Sequence, residues 1–378
     1  MAGRQDVPAV DWSRFRALLR HAREVRPTDP AAAVAGLRAA VGLWPSPPSA
    51  DLKPQYVGAV EELAELEVDN GQADAAAERL DHIVTAHPHR SRAADLLVRA
   101  LIEVGEAERL RGRYGQAATR FERALETARR TGNRPGEWHA LAGLGYTHRV
   151  RGRYDKAAHY YGTALEVARA IGDREWEAHA LRCLGHLHRV QGRYDRAEEH
   201  YGQSLDLIRL TGNQAAEHNC LYGLGHVHLA KGRHEQALEH FERALAVAGA
   251  ADNGTAQFDS LDGFGRTYSD MGRYEKAQAR HQAALSIATE LGHPTNQARA
   301  HDGLAQAHRG EGNRERARRH WRAALDFLTA HGLDRTYDPQ VTVGAIRANL
   351  AALDGHGAGP ARRSQLHTNE DDANRGTH

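Results

Sequence analysis

A 40-residue period is the feature that most limits what this chain can fold into. Residues 98–337 divide into six units of that length, leaving 97 residues before them and 41 after in a chain of 378. A strict long period marks a stacked repeat array, in which each unit buries its apolar face only against its neighbours. Such an array tolerates the composition found here, 41% apolar with a mean hydropathy of -0.65, which would be thin for a single core.

The register is anchored by Gly-Arg-Tyr at Gly112, Gly152, Gly192 and Gly272, varied to Gly-Arg-His at Gly232 and Gly-Asn-Arg at Gly312. Upstream lies an aliphatic column, Leu101, Leu141, Leu181, Leu221 and Leu261, broken at His301. Three residues on come Val104, Leu144, Leu184, Leu224, Phe264 and Leu304, so both columns share one helical face. Gly105, Gly145, Gly185, Gly225 and Gly265 follow, then Ala305. A glycine inside a helix costs about 1 kcal/mol relative to alanine, so its recurrence predicts close helix packing. Beyond the turn a second helix carries Ala117, Ala157, Ala197, Ala237, Ala277 and Ala317. Four residues later stand Phe121, Tyr161, Tyr201, Phe241, His281 and Trp321, then a further small column from Ala124 to Ala324. Small and large residues at these spacings let antiparallel helices interdigitate. Thr131-Gly132-Asn133, Ile171-Gly172-Asp173 and Thr211-Gly212-Asn213 predict a turn whose glycine ends one helix and whose Asn or Asp caps the next. The fourth junction, Ala251-Asp252-Asn253-Gly254, shifts the glycine and predicts an irregularity there.

This pattern closely resembles the tetratricopeptide repeat over residues 98–337. The family unit pairs a first helix of the form aliphatic-x-x-Leu-Gly with a second carrying Ala, an aromatic, then Ala. The resemblance implies an all-α fold, a right-handed superhelical solenoid of antiparallel helix pairs, here in a 40-residue variant of the standard 34-residue unit. Residues 57–90 are similar to one standard-length unit, with Val60, Leu63, Gly71, Ala76, Leu80, Ile83 and a terminal Pro88. Asp29-Pro30 reads as a cap and first helical position, opening a helix over Ala31 to Leu43 that Pro45, Pro47 and Pro48 break.

A second resemblance lies in residues 1–97. Ala39-Ala40-Val41-Gly42-Leu43-Trp44 with Pro47-Pro48-Ser49-Ala50-Asp51-Leu52, and His87-Pro88-His89-Arg90 with Leu96–Leu101, are similar to the bacterial transcriptional activator domain of actinomycete antibiotic regulatory proteins. That likeness implies a regulatory context. In those regulators the domain follows a winged-helix DNA reader. Only ten residues precede Asp11, so no such reader is expected and no DNA-binding residue is carried over.

Fifty basic against 49 acidic residues give a net charge of +1, which argues against a nucleic-acid binder. The apolar runs are far shorter than the roughly 18 residues of a membrane span, and the start lacks a signal peptide's apolar stretch. A cytoplasmic protein is expected. Cys183 and Cys220 match no zinc spacing and read as buried small residues. No Gly-rich phosphate loop, HExxH or G-x-S-x-G elbow is present, so no catalytic residue, cofactor or metal is expected.

In the tetratricopeptide family the first helices line a concave groove that holds a peptide. The resemblance places Tyr146, Arg149, His179, Arg182, His186, Arg189, Asn219, Tyr222 and His226 there, followed by Asp259, Asp262, Arg266, Arg299, Asp302 and Arg309. The expected groove is polar, with Arg and His early and acids joining later. The family's clamp for chaperone tails needs Lys and Asn at particular groove positions, and this groove offers Arg, His and Asp instead. Seventeen of the 25 histidines lie between His139 and His320. His148, His188, His228 and His308, with Tyr268, occupy one column and read as rings that pack and hydrogen-bond between helices. His186 and His188 point roughly 200° apart on a helix, as do His226 and His228, so neither pair chelates a metal as a unit.

Val341, Val343, Ile346, Leu350 and Leu353 fit a capping helix over residues 338–355, and 356–378 read as a disordered tail. The expected function is a non-catalytic scaffold that binds a protein or peptide in a regulatory role, with self-association left open. The alternatives are a regulator acting through a DNA-bound partner, and a small-molecule sensor or enzyme using the groove.

Overall fold

The computed structural model describes residues 11–44, 54–86, 91–336 and 340–354. Pro45, Pro47, Pro48, Pro88 and the expected tail lie outside the described residues. Within them the chain is all-α, with an isolated antiparallel bridge between Arg335 and Thr342. It divides into two compact units, residues 1–232 and 233–378.

The first unit opens with α1 (Trp12–Val25), α2 (Pro30–Val41), α3 (Pro54–Asp69) and α4 (Ala73–Ala86). The 40-residue pairs follow as α5 (Ser91–Leu110) with α6 (Tyr114–Thr131), α7 (Arg134–Val150) with α8 (Tyr154–Ile171), and α9 (Arg174–Val190) with α10 (Tyr194–Thr211). The unit closes on α11 (Gln214–Ala230). Each helix packs on the next, and α5, α7, α9 and α11 also touch in succession, forming one layer. The second unit holds α12 (His234–Ala250), α13 (Gly254–Asp270), α14 (Tyr274–Glu290), α15 (Pro294–Gly310), α16 (Arg314–Ala330) and α17 (Val343–Asp354). Its helices are likewise packed in sequence, as in a tetratricopeptide solenoid.

The turns follow from residue chemistry. Gly112, Gly152, Gly192, Gly232, Gly272 and Gly312 all have φ between 70° and 88° or within a degree of it, the left-handed region where a Cβ is unfavourable. Asn133, Asp173 and Asn213 each accept a backbone N–H three residues on. The irregularity of the fourth junction stays local. Asp252 takes the left-handed position itself, at φ 49°, and Asn253 still caps α13, so both flanking helices keep their 17 residues. Asp29 caps α2 with Pro30 in the first turn, as the sequence predicts.

The recurrent glycines have a steric cause. A Cβ on Gly105 would stand 2.8 Å from Phe121 Cε1, and one on Gly145 2.7 Å from Tyr161 Cε1. The aromatic of each second helix therefore presses on bare backbone. A further glycine column serves the same rings from the following repeat. A Cβ on Gly143 would stand 2.6 Å from Phe121, one on Gly223 2.4 Å from Tyr201, and one on Gly263 2.4 Å from Phe241. Phe121, Tyr161, Tyr201, Phe241 and His281 are the rings so held, and they, like Trp321, are at most 2% exposed.

The histidine column packs as expected, but its hydrogen bonding is incomplete. His148 stacks on Tyr160 at 5.3 Å, His188 on His200 at 5.2 Å, and His308 on His320 at 5.4 Å. Nδ1 of His148 and of His188 has no hydrogen-bond partner among the described residues. Burial, with nearby arginines, pushes His188 down to about 4, and burial with His301 and His308 does the same to His320. Each folded value lies below the ordinary 6.5, so the unfolded chain binds more protons between about 4 and 6.5. The stability these rings provide is complete above about 6.5 and is lost as pH falls toward 4. The melting temperature is therefore expected to drop from about pH 7 to about pH 5, before most carboxylates titrate. A flat profile across that span, read by circular dichroism, would contradict neutral packed rings.

The last helix starts at Val343 rather than near 338. Thr342 Oγ1 accepts from Ala345 N and caps it, while Val341 is buried ahead of it. Ile346 and Leu353 then join Trp321 and Leu328 in one apolar cluster, so α17 covers α16.

Candidate functional site

The first unit contains a cavity of about 610 Å³ on the layer formed by α5, α7, α9 and α11. Register positions decide what faces it. Residues three and four apart on a helix share a face, so the columns led by His139, Ala142, Tyr146 and Arg149 all turn inward. Eight of the sequence-predicted residues meet there: Tyr146 and Arg149 on α7, His179, Arg182, His186 and Arg189 on α9, and Asn219 and Tyr222 on α11. His226 does not line the cavity and packs edge-on to Tyr222 at 4.5 Å.

The lining also includes Glu106 and Arg109 of α5, Trp138 and His139 of α7, and Cys183 of α9. Glu106, Arg109 and His139 stand one repeat before predicted residues in the same columns. Extending each column upstream would have found them. Tyr161 and Tyr201 reach in from the second helices, which no first-helix column could indicate.

Arginine and aromatic side chains alternate along the cavity. Arg109 Cζ lies 4.5 Å from the Tyr146 ring centre and Arg149 Cζ lies 4.7 Å from it. Arg149 Nη1 is 3.4 Å from His186 Nε2. The positive charges of Arg149 and Arg189 act on the hydroxyls of Tyr161 and Tyr201, whose pKa values burial raises. At the far end Trp138 stacks on Trp176 at 4.8 Å, with His179 edge-on at 5.4 Å. Burial first, then Arg182, pushes His179 down to about 4. Burial, then Arg189, Arg149 and Arg182, pushes His186 down to about 3. These imidazoles are neutral at pH 7, so each offers a ring-nitrogen acceptor amid guanidinium donors.

Cys183 occupies the glycine column of Gly143 and Gly223 and lies 3.8 Å from His179 Nδ1. Burial pushes its thiol up, against the pull of Arg182, so it is not an activated thiolate. Cys220 is buried and donates to Ser204 Oγ at 3.3 Å. Among the described residues no three His, Cys, Asp or Glu are placed to hold a metal, and no helix is long and apolar enough to cross a membrane.

The later predicted residues are arranged differently. In the second unit Asp262 is 1% exposed, Asp302 4% and Arg299 7%, so they form part of its interior and not an open groove wall. Arg299 donates to Asp262 at 3.0 Å and to Asp259 at 2.9 Å, and Arg266 donates to Asp262 at 3.1 Å. His281 Nδ1 stands 3.4 Å from Asp262 Oδ1. Trp321 Nε1 donates to Asp302 at 2.8 Å, and Arg309 lies over the Trp321 ring at 5.3 Å. The physical reason is local. Trp321 brings an N–H into the aromatic column and donates it to an acid 19 residues earlier, while His281, in the same column, approaches Asp262 without a hydrogen bond between them. Beside Arg266, His281 and Asp302 lies a cleft of about 30 Å³, the scale of a single water molecule.

Comparison with known proteins gives the same architecture. No curated protein matches the sequence. A signal transduction ATPase with numerous domains from Pyrococcus horikoshii, carrying a tetratricopeptide repeat sensor, is similar with a TM-score of 0.55 and 18% identity. The similarity covers 92% of this chain and 55% of that one. A Rap protein complexed with Competence and Sporulation Factor matches at TM-score 0.51 and 11% identity, covering 90% and 98%. A tetratricopeptide repeat protein from Parabacteroides merdae matches at 0.52 and 18%, covering 78% and 98%. At these identities the likeness is one of fold. Residues 257–330 match the tetratricopeptide repeat, and residues 63–261, more than half of the sequence, match the MalT-like TPR region; the chain belongs to that family.

Proposed function

We propose that this chain is a non-catalytic regulatory scaffold that holds a protein or peptide segment in the cavity of its first unit. The carrying observation is the convergence of Tyr146, Arg149, His179, Arg182, His186, Arg189, Asn219 and Tyr222 on one cavity. Asn and Tyr can bond a peptide backbone, and guanidiniums can pair with or stack on its side chains. The fold shared with a Rap protein complexed with Competence and Sporulation Factor, and with a repeat region described as a sensor, supports a regulatory reading. The test is affinity purification from the native host with Arg182→Glu and Arg189→Glu combined. Partner capture is expected to be lost while the helical spectrum and melting temperature persist; undiminished capture would overturn the cavity assignment.

The resemblance in residues 1–97 suggests a form for this regulation, action on a DNA-bound partner. A DNA-binding protein or polymerase subunit among the captured proteins would support that form, and its consistent absence would count against it. The cavity volume supports a second reading, because about 300–1,000 Å³ is the range of small-molecule sites. A native mass spectrum containing only the bare chain after purification would weigh against a tightly held metabolite.

A further inference from the structure

The charge inventory of the cavity says more than its shape. Arg149, Arg182 and Arg189 line it without a carboxylate partner among the described residues, and the one acid in its lining, Glu106, is bonded to Arg109 at 2.6 Å. Three guanidiniums gathered in a half-buried recess repel one another unless an anion joins them. Their placement is also linear. Arg109, Arg149 and Arg189 hold one register position on α5, α7 and α9, which pack side by side, so the row advances by one helix per repeat. Tyr146 and His186 separate its members. One small anion could meet only part of such a row.

Donors and acceptors narrow the ligand further. A polyphosphate brings acceptors alone, and it would leave the cavity's own acceptors unmatched. Those acceptors are present. His139 and His179 are each driven toward the neutral form by burial, and Asn219 adds an amide oxygen. A ligand complementary to both sets carries several anionic groups and several N–H donors along a line. An acidic peptide has that composition.

We propose that the segment bound here is acidic, an extended peptide whose Asp or Glu carboxylates meet Arg149, Arg182 and Arg189 while its backbone N–H groups reach the imidazole and amide acceptors. This rests on the reading that the cavity holds a protein segment, and makes that reading specific. Arginine suits the role because its planar fork pairs with a carboxylate through two parallel hydrogen bonds.

The experiment selects random linear displayed peptides on the intact chain, then measures the enriched sequences by fluorescence anisotropy. The expected peptides are richer in Asp and Glu than the library and weaken with added salt. Arg182→Gln and Arg189→Gln are expected to bind them about tenfold or more weakly, the scale of one lost charge-assisted contact. Arg182→Lys, which keeps the charge, should lose less than Arg182→Gln, separating recognition from misfolding. Neutral or basic enriched peptides, no enrichment at all, or binding by both Gln variants as tight as by the wild type would overturn the proposal. So would tripolyphosphate binding more tightly than any peptide. Cavity-dependent peptides lacking acid enrichment would sink the acidic ligand alone. Native-host capture undiminished by the double Glu variant would sink the broader reading.

Discussion

Asp262→Ala is expected to lower stability by about 3–5 kcal/mol, the cost of stranding buried charges by removing one partner. The carboxylate is 1% exposed and receives Arg299 and Arg266 at 3.0 and 3.1 Å. Arg299 is itself 8% exposed along its side chain, so its charge has little water to turn to when Asp262 is lost. Burial opposes ionisation of Asp262, yet Arg266, Arg299 and His281 together hold it well below the usual carboxylate range. A depressed carboxylate stabilises the fold above its unfolded value near 3.9, and that stabilisation is lost only as pH falls through the lower folded value. The gap between wild type and Asp262→Ala should therefore persist at about pH 5, where the histidines have already begun to weaken the fold. Asp259→Ala is the control. Its carboxylate is 27% exposed and meets the same Arg299, so a loss of about 1 kcal/mol or less is expected. Urea denaturation giving equal losses for the two variants would refute the buried network as the stabilising element.

Gly143→Ala tests the ring packing through the sign of its effect. In an unencumbered helix the change stabilises by up to about 1 kcal/mol. Here the added methyl would lie 2.6 Å from Phe121 Cε1, while Gly105 approaches the same ring from α5, where a Cβ would lie at 2.8 Å. Moving the ring off one backbone drives it onto the other. A loss of about 1–3 kcal/mol is expected instead, as for overpacked cores. Phe121→Leu in the Gly143→Ala background should recover part of it, because the two sites act on one contact. Gly162→Ala, where a Cβ meets nothing within 4 Å, should stabilise. A higher melting temperature for Gly143→Ala would show that the ring yields freely.

Most of the helical framework could be read before any coordinates. Turn glycines and Asn or Asp caps act on neighbouring residues, so their positions alone specify where helices end. Even the fourth junction was legible as an irregularity. Its mildness was not, because only the backbone reveals Asp252 accepting the left-handed conformation. The columns of the cavity could be read for the same reason, since identical register places residues on identical faces. The role of Gly143 was harder to see, because its partner is a ring in the preceding repeat.

The sequence by itself determined the period, the helix pairs, their caps and the faces that each column presents. Only the tertiary structure decided what one column does in different repeats. Arg182 and Asp262 hold the same register position. Arg182 faces a cavity and has no carboxylate partner among the described residues, whereas Asp262 is buried against Arg299 and His281. The difference lies in what stands 4 and 37 residues further on. Beside Asp262 those positions are Arg266 and Arg299, whose guanidiniums lie 3.1 and 3.0 Å from its carboxylate, whereas beside Arg182 they are His186 and Asn219. A buried charge requires a partner, which ties Asp262 into the interior and leaves the Arg182 guanidinium to the cavity.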